Sequence, residues 1–350
     1  MTVIPAFTGE RLVLARHRRR MTLAALARAS KLTTHSLTHF ENRLKYPSPH
    51  SLDRLSSALD VTPEFLLAPA PRRIPPEAMS LRSPTRLSAR NKYSAVAVAE
   101  LTVALVAWME THLWLPCPNL PLWPQHDPEH AAEALRTHWQ MGDAPSGPLT
   151  PLLEANGVRI FALPLDCADV GTFSTRHTGT PFVFLPPHLT GEQAREHLAY
   201  ELGQLVLGQS RPGHRDSHAA AVQFASAFLM PRTAVIAAML RTATPDRLAA
   251  AASTWGVTTA SVLHRLHDLE LLPEWSHRST IQRLGDKTTP YGPAGPGPDE
   301  HSQLLPKAVA CLRTSGLPID SAAELTALHI DEPPRWPVAT VPAAPASADE

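Results

Sequence analysis

The chain has few cysteines, no net charge and no long apolar run. Its three cysteines, Cys117, Cys167 and Cys311, are far apart. This spacing excludes a disulfide scaffold and a CxxC metal motif, and it suits a reducing compartment. The 32 Lys and Arg residues balance the 32 Asp and Glu residues, so the net charge of the whole chain indicates neither nucleic-acid binding nor membrane-surface binding.

The longest apolar run, residues 95–108, is interrupted by Glu100 and is shorter than the ~20 residues that span a bilayer. The first residues also lack the apolar core of a signal peptide. We therefore expect a soluble cytoplasmic protein with no membrane partner.

Proline and charge are unevenly distributed along the chain. The sequence holds 36 prolines, about twice the usual share of roughly 5%. Prolines at high density in residues 68–87 predict a linker, since proline interrupts helices. Residues 285–350 are predicted to be a mostly disordered Pro/Gly-rich tail with a weak helical segment near 304–315. Residues 1–60 carry ten Lys and Arg against four Asp and Glu, which indicates a basic N-terminal module.

The apolar periodicity predicts a mainly helical chain with a small β-sheet, an α+β fold. Three short β-type runs stand near the middle of the chain: Val158–Leu163, Phe173–Thr175 and Pro181–Leu185. The predicted helices beyond the N-terminal module cover residues 88–112, 129–140, 149–156, 191–207, 217–229 and 246–272, the last with a turn at Gly256. Thr190 and Gln193 predict a capping box at the start of helix 191–207, and Gly157 and Gly208 predict helix ends.

Residues 8–67 have the pattern of short helices joined by tight turns. Seven apolar side chains can form one small core: Leu26, Leu32, Leu37, Phe40, Leu52, Leu55 and Leu59. With Met21–Ala27, Leu32–Asn42 and Pro47–Val61, the pattern resembles the Cro/lambda-repressor (XRE) helix-turn-helix family. The resemblance implies an all-α bundle that binds double-stranded DNA.

The second helix of this motif is the expected recognition helix. Thr33 is a good N-cap, and the exposed face then presents Thr34, His35, Thr38 and His39 to base edges. Basic side chains flank this helix and are predicted to contact phosphate: Arg16, Arg18, Arg19, Arg20, Arg43 and Lys45. Leu23 stands where the family usually has glutamine, so one backbone contact is expected to be missing. The alternative is that the arginines are a solvated face and that the bundle binds only protein.

A second region resembles a zinc-peptidase family. Its pieces are Gly142–Pro145, Leu152–Val158, Asp169–Ser174, Pro181–Leu185, Leu198–Gln204, Ala221–Pro231 and Trp255–Thr258. Together they resemble the ImmA/IrrE metallopeptidases, which implies a zincin-like domain over residues 141–275. Residues 88–140 would then be connecting helices.

The zinc ligands of that family have no counterpart in this chain. In the zincin pattern His-Glu-x-x-His, two histidines bind the metal and the glutamate activates a water. Aligned on the resemblance, Glu201 occupies the general-base position, but Tyr200 and Gln204 replace the histidines, and the acidic ligand falls at about Ala220. We therefore predict no zinc, no other cofactor and no confident catalytic residue. A displaced zinc site made of His197, Glu201 and His218, with His214 nearby, is the alternative.

Residues 254–266 also have helix-turn-helix spacing. The exposed face of this segment has few basic residues, chiefly Arg265. The sequence therefore favours a packing role over a second DNA reader.

Three functions remain open from the sequence. The leading interpretation is a DNA-binding transcriptional regulator, a homodimer, whose peptidase-like domain senses a small molecule or peptide, or binds a partner. The second is a metallo-endopeptidase that cleaves a partner repressor through the displaced metal site, with zinc as its cofactor. The third is a protein that captures a repressor partner without cleaving it.

Overall fold

The computed structural model describes residues 7–81, 87–189, 191–208, 215–240, 244–274, 277–278, 282, 300 and 302–315. The described chain divides into two compact units. The first contains the N-terminal helices, one long helix and a helix near the C-terminus. The second contains the sheet, the remaining helices and a short segment, residues 77–81, that we call the edge segment. The architecture is α+β, as the sequence predicts.

The N-terminal bundle consists of five short helices. They are α1 (Gly9–Arg18), α2 (Leu23–Ser30), α3 (Thr34–Glu41), α4 (Pro49–Leu59) and α5 (Pro63–Leu67). Helices α2 to α5 each begin after a hydroxyl residue whose oxygen accepts a backbone N–H three residues on: Thr22, Thr33, Ser48 and Thr62. The predicted seven-residue core is confirmed: six of the side chains are buried, and Leu32 packs against them.

The long helix α6 (Ala89–Glu110) belongs to this first unit. Its Ala97 and Leu101 join the core of the bundle, and Leu105 and Met109 pack on α14 (Leu304–Thr314). By length and composition α6 could cross a membrane, which corrects the expectation that the apolar stretch is too short. However, 61% of its most apolar stretch is buried inside the protein, as in the core helix of a globular unit.

The second unit surrounds a three-stranded sheet. Its helices are α7 (Pro128–His138), α8 (Leu149–Ala155), α9 (Gly191–Leu207), α10 (Arg215–Leu229), α11 (Arg232–Ala237), α12 (Pro245–Trp255) and α13 (Thr259–Asp268). Its strands are β1 (Arg159–Ala162), β2 (Phe173–His177) and β3 (Thr180–Leu185). Strand β3 lies in the centre: β1 pairs with it in parallel and β2 in antiparallel. Helix α9 packs on the sheet, and α10 packs on α9.

The edge segment covers the outer edge of β2. Met79 forms an antiparallel bridge with Thr175, and the Ser80 N–H donates to the Ser174 carbonyl at 2.9 Å. The Thr175 hydroxyl donates to the Ala78 carbonyl at 3.0 Å. Because Met79 is fully buried, the contact is also apolar. Part of the Pro-rich stretch predicted as a linker is therefore packed into the second unit.

Other differences from the sequence prediction are local. The two helices predicted as connectors belong to different units, α6 to the first and α7 to the second. Helix α11 lies in a stretch with no predicted helix. Glycines at the predicted ends, Gly157, Gly208 and Gly256, have positive φ, as helix-terminating glycines do. Thr190 of the predicted capping box and nearly all of the predicted tail, residues 285–299, 301 and 316–350, lie outside the described residues.

Candidate functional site

Helix α3 presents a polar face outside the N-terminal bundle. Leu37 and Phe40 point into the core, whereas Thr34, His35 and Thr38 are exposed. The rings of His35 and His39 lie 4.1 Å apart, so the two imidazoles form one patch. The Thr38 hydroxyl donates to the Thr34 carbonyl at 2.9 Å, and the Thr38 side chain remains exposed.

The N-terminus of α3 is fixed by its cap. The Thr33 oxygen accepts the Ser36 N–H at 3.1 Å and contacts the Ser36 hydroxyl at 2.9 Å. This cap stabilises the first turn of α3, and the first turn is the part of a recognition helix that reaches base edges. Thr33 therefore has a structural role in addition to its exposed position.

Two of the arginines predicted to contact phosphate make ion pairs that link helices of the bundle. Arg16 donates to both oxygens of Glu41 at 2.6 and 3.1 Å, and both side chains are nearly buried. Arg19 donates to the Leu59 carbonyl and the Asp60 carboxylate. These bonds fasten the end of α1 to the ends of α3 and α4, a role that the sequence pattern did not indicate.

The remaining predicted cations differ in accessibility. Arg43 pairs with Glu10 but stays 54% exposed. Arg20 is half-buried in a left-handed conformation (φ 52°) just after α1. Lys45 is exposed and makes no ion pair among the described residues. Sequence reasoning missed two further exposed cations at the end of α2, Arg28 and Lys31, although their position just before α3 was a usable signal.

In the second unit, the positions of the absent zinc ligands lie on α9 and α10. Gln204 donates through its amide nitrogen to the Tyr200 hydroxyl at 3.0 Å. That hydroxyl lies 3.0 Å from Nδ1 of His218 on α10, within hydrogen-bond distance. These side chains form a hydrogen-bonded chain between the two helices.

Glu201 is fully buried beside that chain. Its Oε2 accepts the Ser80 hydroxyl at 2.5 Å and the Ser174 hydroxyl at 2.7 Å. The Ser80 oxygen in turn accepts the Ser174 N–H at 2.7 Å. The carboxylate at the general-base position therefore joins α9, β2 and the edge segment, and the sequence analysis predicted neither serine as a partner of Glu201.

The residues present at this place do not fit a zinc ion. A phenol and an amide are poor zinc donors at neutral pH, and Ala220 has no donor atom. In the described part of α9 and α10, no three His, Cys, Asp or Glu residues bring ligand atoms close enough to hold a metal. Nδ1 of His197 lies 2.6 Å from the Thr172 hydroxyl, and the proposed set of His197, Glu201 and His218 does not assemble.

The second helix-turn-helix pattern is a packing element, but Arg265 is not on its exposed face. The Arg265 side chain is buried; it donates to the Met230 carbonyl and, through two nitrogens, to Glu129 of α7. The hydrogen bonds to a helix-terminal carbonyl and to a carboxylate compensate for the burial of this guanidinium. The sequence prediction of an exposed Arg265 was wrong.

Comparison with known families assigns both regions. The Cro/C1-type HTH DNA-binding domain matches residues 12–71, and the IrrE N-terminal-like domain of the M78 peptidases matches residues 153–267. No curated protein and no solved structure matches the chain significantly. The chain is thus a fusion of a Cro/C1-type helix-turn-helix domain with an IrrE N-terminal-like, M78 peptidase-type domain.

Proposed function

We propose that this protein is a cytoplasmic transcriptional regulator that binds a specific DNA sequence as a homodimer and whose peptidase-like unit is a non-catalytic sensor or partner-binding module. The exposed polar face of α3, built from Thr34, His35 and Thr38 on a capped helix, carries the proposal. The match to a Cro/C1-type domain supports DNA as the partner.

The face of α3 suits the major groove. Imidazole nitrogens and threonine hydroxyls donate to or accept from base edges, and the Thr38 methyl group suits the methyl group of thymine. Lys45 and Arg28, being exposed, are the best-placed phosphate contacts, because Arg16 and Arg19 are engaged within the bundle. A single small module contacts few base pairs, so useful specificity favours two copies on a two-fold operator.

DNA selection with the full chain, followed by anisotropy titrations, tests this proposal. His35→Ala is expected to change the preferred sequence and to cost about 1–3 kcal/mol on the selected site. Lys45→Ala is expected to weaken binding to every sequence and to lower the salt slope by about one. His50→Ala, an exposed histidine on α4, is the matched control. Equal binding by His35→Ala, Lys45→Ala and the control would contradict the groove assignment.

The non-catalytic role of the second unit rests on its altered ligand positions. Glu201 is engaged by two serines, and the hydrogen-bonded chain from Gln204 to Tyr200 occupies the positions of both histidines. A general base of this class acts on a metal-bound water, and no zinc ligand set assembles beside it in the described residues.

Restoring the ligands tests this part. The Tyr200→His/Gln204→His/Ala220→Glu variant is expected to hold about one more zinc per chain than the native protein by elemental mass spectrometry. The native protein is expected not to cleave candidate repressors in a chelator-sensitive way. Chelator-sensitive cleavage by the native chain, abolished by Glu201→Gln, would contradict the proposal and support the endopeptidase alternative.

A further inference from the structure

A cluster of histidines lies at the end of α13, apart from the residues discussed above. His264 and His267 are one helical turn apart, and Glu274 and His277 are likewise three residues apart after the chain turns back. Such i, i+3 pairs share a face of a helix or helical turn. The turn is closed by the Leu271 N–H donating to the Leu266 carbonyl at 2.8 Å. Two pairs of potential ligands therefore face each other.

The distances in this cluster match those of a metal site. His267, Glu274 and His277 each offer a ligand atom, and these atoms lie within 4.8 Å of one another. Nε2 of His267 is 3.1 Å from Oε2 of Glu274, and Nδ1 of His264 is 3.1 Å from Nε2 of His277. A tetrahedral ion with bonds of about 2.0–2.2 Å requires ligand atoms slightly more than 3 Å apart.

Hydrogen bonds from neighbouring groups hold two of these side chains in place, as commonly happens around a metal ion. Nδ1 of His267 faces the Leu272 carbonyl at 3.4 Å, which favours the proton on Nδ1 and leaves the Nε2 lone pair towards Glu274. The other oxygen of Glu274 accepts the Arg278 Nε–H at 2.7 Å. The free oxygen and the free imidazole nitrogen therefore point to the same place.

We propose that His267, Glu274 and His277 form a binding site for one divalent transition-metal ion, with Zn²⁺ as the expected occupant and His264 beside the site. Two imidazoles and one carboxylate are a zinc-type ligand set, and imidazole-containing sites also accept Ni²⁺ and Cu²⁺. The His267 and Glu274 side chains are 36% and 52% exposed, so an ion reaches the site from solvent. The site shares no residue with the peptidase-like helix positions, and it does not depend on the proposed DNA binding.

The site also has a structural consequence for the second unit. Helix α13 is bonded to two other helices of the second unit. Its Arg265 donates to Glu129 of α7, and the Thr258 N–H at its start donates to Glu196 of α9. An ion at the end of α13 would fasten Glu274 and His277 to this helix. Metal binding is therefore expected to raise the unfolding temperature of the native chain by mass action.

Titration of the chelator-treated full chain with Zn²⁺ alone, in competition with a chromophoric chelator, tests the site. The native chain is expected to bind one equivalent, and Co²⁺ in its place is expected to show the visible absorption of a tetrahedral nitrogen–oxygen site. His267→Ala and His277→Ala are each expected to weaken Zn²⁺ binding by more than about tenfold. The matched control, His112→Ala/His188→Ala, removes two exposed histidines elsewhere and should leave binding unchanged.

The proposal is overturned if the native chain binds no stoichiometric Zn²⁺, or if the native chain and the two cluster variants bind Zn²⁺ equally. Loss of binding in His197→Ala/His218→Ala instead of in the cluster variants would also refute it and would place the ion at the displaced peptidase site. Circular dichroism without metal separates ligand loss from misfolding, since the cluster lies on the surface. DNA affinity of the metal-free chain reports separately on the proposed function.

Discussion

Glu196 is expected to make the second unit less stable as the pH rises through the weakly acidic range. This carboxyl of α9 is buried, and one of its oxygens accepts the Thr258 N–H and hydroxyl and the Ser261 hydroxyl at the start of α13. Burial raises the pKa of Glu196 from 4.5 to about 7, against these hydrogen bonds, and nearby Glu192 adds to the rise. Desolvation of the charge exceeds the gain from the bonds.

The sign and size of the effect follow from linkage. Below pH 4.5 the Glu196 carboxyl is protonated in both states; between 4.5 and about 7 the unfolded chain releases a proton that the folded chain keeps. The free energy of unfolding therefore falls as the pH rises through this window. The rise in pKa corresponds to about 3 kcal/mol in total, at ~1.36 kcal/mol per pH unit.

Urea unfolding at a series of pH values from 4.5 to 8 measures this effect. Glu196→Gln keeps the accepting oxygen and carries no charge, so its stability relative to the native chain should increase by about 3 kcal/mol across the series. Glu133→Gln, an exposed glutamate on α7, should run parallel to the native chain. A constant difference between Glu196→Gln and the native chain would refute the reasoning, and so would a difference that shrinks with rising pH.

Substitutions at Gly157, Thr33 and Glu300 test the packing of the two units by thermal or urea unfolding. Gly157→Ala is expected to cost more than about 1 kcal/mol, because φ is 79° and a Cβ would lie 2.4 Å from a backbone carbonyl oxygen; Gly179→Ala, with φ 89° but open space, should cost less. Thr33→Ala should cost about 1 kcal/mol through loss of the α3 cap, and Thr33→Ser should restore it. Glu300→Gln should cost about 3 kcal/mol, because it leaves the buried Arg195 guanidinium without its carboxylate.

Local sequence patterns predicted most of the elements in this fold. A hydroxyl cap such as Thr33, a helix-ending glycine such as Gly256 and the apolar core of the bundle all act through neighbours in sequence, so they can be recognised without a structure. The three strands were also predicted, because short β-branched and aromatic runs stand out between helices. Their order was not, since the parallel pairing of β1 with β3 depends on contacts across the fold.

Long-range polar contacts could not be predicted. Arg16 and Arg265 have the composition of surface residues, yet each meets a carboxylate that lies 25 and 136 residues away in the chain, respectively. Ser80 likewise looks like an ordinary linker residue until the edge segment brings it to Glu201. In each case tertiary packing determines the partner, whereas a sequence pattern describes only the neighbours of one residue along the chain.

The edge segment determines where the second unit can be cut. A fragment that starts at Pro116 would lack Met79 and Ser80, so the backbone groups along β2 would be open to another chain, and Glu201 would lose one of its hydroxyl donors. Unpaired strand edges promote edge-to-edge aggregation. A recombinant version of this unit is therefore expected to stay monomeric only if residues 77–81 are retained or grafted back, even though 33 residues of the other unit, 83–115, separate them from Pro116.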